Sequence, residues 1–429
     1  MFIRKNEAQD PGPWRFVPCF FKLKKMSTID KTVLQTFRDE LQAELEEILS
    51  FWSTQTIDHR QGGFIGKMDN IGLVDDNAPK GLVLNARILW TFSAAYAKTP
   101  DPTYLAVAQR AFGVLSDQFY DEQYAGYYWS IGADGTALNT RKQVYGQAFV
   151  LYALAEYHRI LHDENERLIV WAKAVMVFGW IEQYSFDRKH NGYWEAVAQD
   201  GSPLDDLRLS ERDRNDPKTM NTHLHILEAY ANLYRIWPDR ILQPQLNNLI
   251  DLFLDKIVDS TTHHLICFFD AEWNPSPSPI SYGHDIETAW LLLEAAEIEQ
   301  YRVEDARRAA LQIALAAAEG FDPTLGALYY EDHLLEKHWW VEAEAMVGFL
   351  NAWEITQEEH WLDKSLACWA YIKQEIKDKE HGEWFWGIDA QGKVMEGEDK
   401  VGFWKCPYHN TRACLEIIRR LDKHLIATN

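Results

Sequence analysis

A short phrase, a small residue followed by aromatics, recurs six times along this 429-residue chain. It occurs as Gly62-Gly63-Phe64-Ile65, Gly126-Tyr127-Tyr128-Trp129 and Gly192-Tyr193-Trp194-Glu195. Looser copies are His264-Leu265-Ile266-Cys267-Phe268-Phe269 and Gly326-Ala327-Leu328-Tyr329-Tyr330, and the last is Gly382-Glu383-Trp384-Phe385-Trp386. The starting positions 62, 126, 192, 264, 326 and 382 stand 64, 66, 72, 62 and 56 residues apart. Self-similarity at a fixed period signals one supersecondary unit repeated, and it limits the folds open to the chain more than any composition does. Several copies run into turn-like tails, Ala133-Asp134-Gly135, Gln199-Asp200-Gly201 and Asp389-Ala390-Gln391-Gly392, so each is expected to open a short β-hairpin.

Two helical patterns separate successive phrases. The segment before each is amphipathic: in Asp30–Trp52 the apolar positions Leu34, Phe37, Leu41, Leu45, Ile48, Leu49 and Trp52 follow a 3–4 spacing with charges between. The segment after each is apolar nearly all round, as in Gly81–Ala97, and is expected to be buried on most sides. Similar segments are Tyr145–Tyr157, Asn221–Ile236, His284–Ile298, Trp340–Ile355 and Tyr408–Leu421. Six outer and six inner helices predict an all-α (α/α)6 barrel of twelve helices, with the hairpins in the loops at the N-terminal mouth of the inner helices. An open superhelical solenoid is the alternative. Residues 27–429 are expected to form this single domain. Residues 1–26 are expected to be an N-terminal extension, with Met26 the working start.

Every phrase precedes an inner helix, so the six long loops and the six inner-helix N-termini gather at one mouth, where free N–H groups favour anionic ligands and transition states. The first turns there are chemically expensive: Arg87; Tyr145 and Gln147; Asn221 and His225; His284 and Glu287; Trp339, Trp340 and Glu344; Trp404, Tyr408 and His409. Each has a plain reading as well. A lone histidine in an apolar helix is commonly a hydrogen-bonded core residue, Asn221 and His225 can satisfy each other at i, i+4, and Glu228 and Glu287 can be buried partners of arginine. Convergence of three histidines on one cavity favours the functional reading. His225-x-x-Glu228 and His284-x-x-Glu287 have the spacing of carboxylate–histidine metal ligands. The preferred reading nevertheless has no metal and no cofactor.

Two or three histidines with an arginine suit removal of a proton beside a carbonyl. Imidazole titrates near neutrality, and a guanidinium with helix N-termini holds the enediolate oxygen. Returning the proton to the other face of the carbon would be an epimerisation. A glycoside hydrolase on the same scaffold would need an acidic pair flanking the bond, and a non-catalytic sugar-binding barrel is the third reading.

The motifs Lys80-Gly81-Leu82-Val83-Leu84-Asn85-Ala86-Arg87, Asn221-Thr222-His223-Leu224-His225, Ser281-Tyr282-Gly283-His284-Asp285-Ile286-Glu287, Trp339-Trp340-Val341-Glu342-Ala343-Glu344 and Trp404-Lys405-Cys406-Pro407-Tyr408-His409-Asn410 resemble the N-acylglucosamine 2-epimerase superfamily, most of all its cellobiose 2-epimerase branch. The resemblance runs from about Thr32 to Leu421. It implies cofactor-free epimerisation at C2 of a reducing-end glucose or mannose unit through ring opening and a cis-enediol. It implies that His284 and His409 exchange the C2 proton, that His225 assists ring opening, and that Arg87 stabilises the enediolate. Tyr145, Asn221 and Glu287 would place hydroxyls, and Trp339 or Trp340 and Trp404 would stack on the sugar. Relatives that epimerise free mannose, or isomerise it to fructose, keep a monosaccharide substrate open.

Composition narrows the partners. A formal charge of −22 argues against nucleic acid and anionic membranes, and no stretch is long and apolar enough to span a bilayer. Eighteen tryptophans suit half-apolar, half-wet sugar pockets. Five scattered cysteines without C-x-x-C point to a reducing, cytoplasmic setting. A small sugar is thus the expected partner, bound by a monomer or weak homo-oligomer.

Overall fold

The computed structural model describes residues 31–427 with the exception of 212, so the expectations for the N-terminal extension and Met26 lie outside the described residues. Among the described residues, twelve α-helices alternate between two rings. The outer ones are α1 (Lys31–Thr54), α3 (Pro102–Val114), α5 (Glu164–Tyr184), α7 (Leu242–Leu252), α9 (Val303–Ala317) and α11 (Glu359–Tyr371). The inner ones are α2 (Leu82–Lys98), α4 (Val144–Ile160), α6 (Met220–Ile236), α8 (Tyr282–Glu299), α10 (Trp339–Thr356) and α12 (Tyr408–Ala427). Each inner helix packs on the next, and α12 returns to α2 while α1 covers α12. The architecture is the (α/α)6 barrel.

Burial follows the apolar pattern. The seven apolar positions read in α1 are its buried face, joined by Glu44, which accepts a hydrogen bond from Trp384 Nε1 at 2.7 Å. In α4 every side chain but Arg159 is buried, because neighbours lie on both sides and α5 lies outside.

Closure rests on a ring of short antiparallel pairings just ahead of the inner helices. Lys80-Gly81 pairs with Ser130-Ile131, Lys142-Gln143 with Ala196-Val197, Lys218-Thr219 with Phe268-Phe269, and Lys337-His338 with Gly387-Ile388. Ser281 bridges Glu331, and Val401 of the sixth repeat bridges Met68 of the first. That last bridge, with Met68 N donating to Val401 O at 2.8 Å, joins the ends and rules out the open solenoid.

The expected turn tails are present: Ser130-Ile131 pairs with Ala137–Asn139 across Asp134-Gly135, Ala198 N donates to Ser202 O across Asp200-Gly201, and Ile388 bridges Val394 across Gln391-Gly392. A second hairpin precedes each phrase. Its turn begins with an aspartate, namely Asp58, Asp121, Asp187, Asp259, Asp322 or Asp378, whose carboxylate accepts from the backbone N–H groups two and three residues on. The small residue of the phrase lies in the left-handed region, with φ of 68° at Gly63 and 81° at Gly192, which explains the recurring glycine. Four of these aspartates hold the buried lysine ahead of the next inner helix: Asp58–Lys80 at 2.8 Å, Asp121–Lys142 at 2.9 Å, Asp187–Lys218 at 2.8 Å, and Asp378–Lys400. The fourth residue of the inner helix completes the lock. Gln147, His223, Asp285 and Glu342 accept the backbone N–H of Tyr127, Tyr193, Leu265 and Leu328. Hairpin, strand and inner helix are thereby one rigid unit, and that unit sets the first turns facing the mouth.

Candidate active site

Arg412, about one turn below the mouth on α12, organises the polar centre. Its guanidinium donates to Glu228 on α6 and, at 2.6 Å each, to Glu287 on α8 and Glu344 on α10. Tyr408 also donates to Glu228. Sequence reading raised Glu228 and Glu287 as possible partners of an arginine but did not find Arg412, whose position in α12 looks like any basic site on an amphipathic helix. The only available signal was its i, i+3 spacing from His409.

Each expected histidine has its Nδ1 engaged. His409 Nδ1 lies 2.7 Å from Glu344 Oε1 and 4.0 Å from Glu287 Oε1. His225 Nδ1 lies 3.0 Å from Glu228 Oε2, so its partner is the carboxylate at i+3 and Asn221 is left for other work. Asn221 Oδ1 is buried without a partner. His284 Nδ1 lies 2.7 Å from Ser281 Oγ rather than against Glu287. Nε2 is therefore the nitrogen each ring offers to a ligand.

The indole of Trp340 sits between the two outer imidazoles, 4.9 Å from His284 and 5.6 Å from His409 between ring centres, so the rings lie no farther apart than those two distances combined. His225 packs edge-on to Tyr145 at 4.8 Å, and Arg87 Nη2 donates to the Tyr145 hydroxyl at 2.8 Å. Arg87 is 3% exposed, with aromatic faces of Phe149 and Tyr408 beside it and Nε without a partner. Trp404 lies 5.9 Å from Tyr145 and 5.7 Å from Trp129, closing the same side. Trp339 is 2% exposed, packs on Trp386 at 4.5 Å and under the Lys405 ammonium, and meets only His409 of the three histidines, edge-on at 6.3 Å. Of the paired tryptophans, Trp340 faces the histidines. Gln147 and His223 belong to the hairpin lock.

Electrostatics separate the groups. Burial pushes His284 down to about 3, and any proton on His225 opposes a charge on it further. Burial, then Arg87 and Arg412, holds His409 well below the ordinary imidazole value, and burial lowers His225 despite Glu228. All three shifts favour the neutral imidazole. Burial and then the neighbouring Glu344 charge push Glu287 up to about 8, and burial raises Glu344 as well. Glu228 goes the other way, to about 2, because Arg412 and His225 outweigh its burial. Both shifts favour a proton shared on the Glu287–Glu344 pair, within hydrogen-bond reach of His409.

Glu287, Glu344 and His409 bring ligand atoms within 4.8 Å of one another, a spacing that suits a cation, and the Arg412 guanidinium is the cation bonded to both carboxylates. A small hollow of 70 Å³ on the mouth side is lined by Asn221, Ser281, His284, Tyr330 and Arg208. A larger cavity of 510 Å³ opens at the opposite end of the barrel and reaches Glu228 and Arg412 from behind; it is framed by ion pairs such as Glu156–Arg159 and holds none of the histidines.

Residues 63–413 match the family described as N-acylglucosamine 2-epimerase. A cellobiose 2-epimerase of Bacteroides fragilis is 43% identical over 393 residues, covering 90% of this chain and 99% of that relative. One from Dictyoglomus turgidum is 37% identical over 397 residues, covering 90% of this chain and all of the relative. The solved cellobiose 2-epimerase of Spirochaeta thermophila superposes with a TM-score of 0.86 at 40% identity, over 93% of this chain and 100% of that one.

Proposed function

The chain belongs to the N-acylglucosamine 2-epimerase family and is a carbohydrate epimerase, an isomerase; on that premise we propose that it interconverts glucose and mannose units at the reducing end of a disaccharide such as cellobiose, by exchanging the proton on C2. The observation that carries this reading is the pair of imidazoles on either side of Trp340, with Arg87 at the same level of the barrel.

The chemistry follows from the proton inventory. With the sugar open, neutral His284 takes the C2 proton at Nε2, and the electron pair moves to the carbonyl oxygen to form the cis-enediolate. Arg87 faces the negative oxygen; being buried, it acts in a low dielectric where such a charge is worth more than in water. His409 then delivers its Nε2 proton to the opposite face of C2 while its Nδ1 receives the proton held by Glu344, and solvent exchange restores the starting state. Mannose-to-glucose turnover is the reverse. His225, anchored by Glu228, assists ring opening, Tyr145, Asn221 and Glu287 hold hydroxyls, and Trp340 and Trp404 stack on the rings. No metal or cofactor takes part in these steps.

Among the described residues no helix is long and apolar enough to cross a membrane. The unpaired cysteines Cys267, Cys368, Cys406 and Cys414 support a reducing, cytoplasmic setting.

Incubation of the protein with cellobiose in heavy water tests the reading: deuterium should enter C2 of the glucosyl-mannose product, and His284→Asn and His409→Asn should each abolish turnover. Undiminished turnover in either variant, or release of monosaccharide instead of an epimer, would overturn it.

A further inference from the structure

Ser281 occupies the N-cap of α8, where a serine hydroxyl ordinarily accepts a hydrogen bond from the helix's first free N–H groups. It makes no such bond. Thr219, at the same place on α6, does cap its helix, accepting from Thr222 N at 3.1 Å. The Ser281 side chain, on a residue only 4% exposed, lies 2.7 Å from His284 Nδ1 instead. Its backbone is pinned by the bridge to Glu331 and by Asp285 N donating to its carbonyl at 3.0 Å, so the hydroxyl has little freedom to move away. A stabilising cap is forgone in favour of one imidazole. Departures from local stability rules of this kind concentrate at functional sites.

We propose that Ser281 is a positioning residue for the reaction, its hydroxyl accepting the Nδ1 proton of His284 so that Nε2 is the nitrogen turned to C2. The proposal rests on the reading of His284 as one of the two proton carriers. A neutral imidazole can place its proton on either nitrogen, and the partner of Nδ1 decides which. With Nδ1–H fixed on Ser281 Oγ, Nε2 gains and loses the C2 proton while the other bond is unchanged. The two carriers then have unequal partners. Glu344 backs His409 with an acid that shares its proton, whereas Ser281 backs His284 with a group that carries no charge. A second carboxyl at Ser281 would favour a proton on both rings and leave neither free as the base.

The test compares Ser281→Ala and Ser281→Thr with the wild type, measuring cellobiose epimerisation, C2 deuterium exchange in each epimer by NMR, and melting temperature. Ser281→Ala should lower kcat by about 10- to 100-fold, the range seen for partners that orient functional imidazoles. KM should stay within about two-fold, because the lost bond is not to substrate. The melting temperature should fall by only about 1–3 °C, since one side-chain hydrogen bond is lost but no helix cap. Exchange at C2 of one epimer should outlast epimerisation, because the face served by His409 keeps its carrier. Ser281→Thr should recover most of kcat. An alanine variant with unchanged kcat, a parallel loss of stability and activity, or an equal fall of exchange and epimerisation in both epimers would overturn the proposal. A wild-type protein that neither exchanges nor epimerises would refute the epimerase reading itself, an outcome distinct from these.

Discussion

Lys218→Met probes the lock that seats α6. Lys218 is fully buried, and its ammonium donates to Asp187 Oδ2 at 2.8 Å, Asn191 O at 2.7 Å and Ala271 O at 2.6 Å, above the rings of Trp194 and Trp273. Methionine keeps the stem and removes the charge. Asp187, 5% exposed, retains the N–H bonds from Lys189 and His190 at 2.9 and 3.2 Å but loses its counter-ion. Removing one member of a buried pair costs about 3–5 kcal/mol, and the two retained amide bonds place this case near 3 kcal/mol. With an unfolding entropy of roughly 2.1 cal/mol/K per residue over a barrel of roughly 400 residues, that lowers the melting temperature by about 4 °C. Adding Asp187→Asn should recover at least half of the loss, because the unpaired charge is then gone. The Asp187 carboxyl sits below the ordinary 3.8: burial opposes this, but the Lys218 and amide bonds outweigh it. Its contribution is complete above that ordinary value and is lost as pH falls through the lower folded value, so the gap between wild type and variant should narrow only below about pH 4. Scanning calorimetry at pH 7 and pH 3 reads both effects. A single variant that melts with the wild type at pH 7, or a double variant less stable than the single, would refute the argument.

Other consequences are open to simpler assays. With Glu287 at about 8, epimerisation should decline as pH rises past that value and the carboxyl pair loses its proton, and Glu344→Gln, which removes the acid behind His409, should lower kcat across the whole range; initial-rate profiles from acid to alkaline pH measure both. Gly192→Ala should lower the urea midpoint, because φ is +81° and the new Cβ would lie 2.3 Å from the Trp273 ring. Trp340→Ala should reduce kcat/KM with little change in stability, whereas Trp339→Ala should cost about 3–5 kcal/mol in denaturant unfolding, as loss of a fully buried indole does.

The helices and the mouth were legible because apolar periodicity is a local signal: the α1 face was readable to the residue, and the recurring glycine reports a φ that few other residues adopt. Roles that depend on rotation about a helix were not. Trp339 and Trp340 are adjacent, so spacing alone does not tell which turns to the histidines and which to Trp386. Gln147 and His223 stand among mouth residues but reach back to the backbone of Tyr127 and Tyr193, a function visible only when the fourth residues of several inner helices are aligned. Arg412 was missed for a different reason. Its three carboxylate partners lie 68, 125 and 184 residues away on three other helices, and nothing near it in the chain reports a buried ring of acids.

The Met68–Val401 bridge gives every repeat two neighbours and leaves no terminal unit to fray. Thermodynamically such a ring has no preferred first or last member. If α12 and α1 were joined by a linker and the chain cut instead in the exposed turn at Glu272, the same six seams would still be formed, and a circularly permuted polypeptide would assemble the identical mouth from a different order of synthesis.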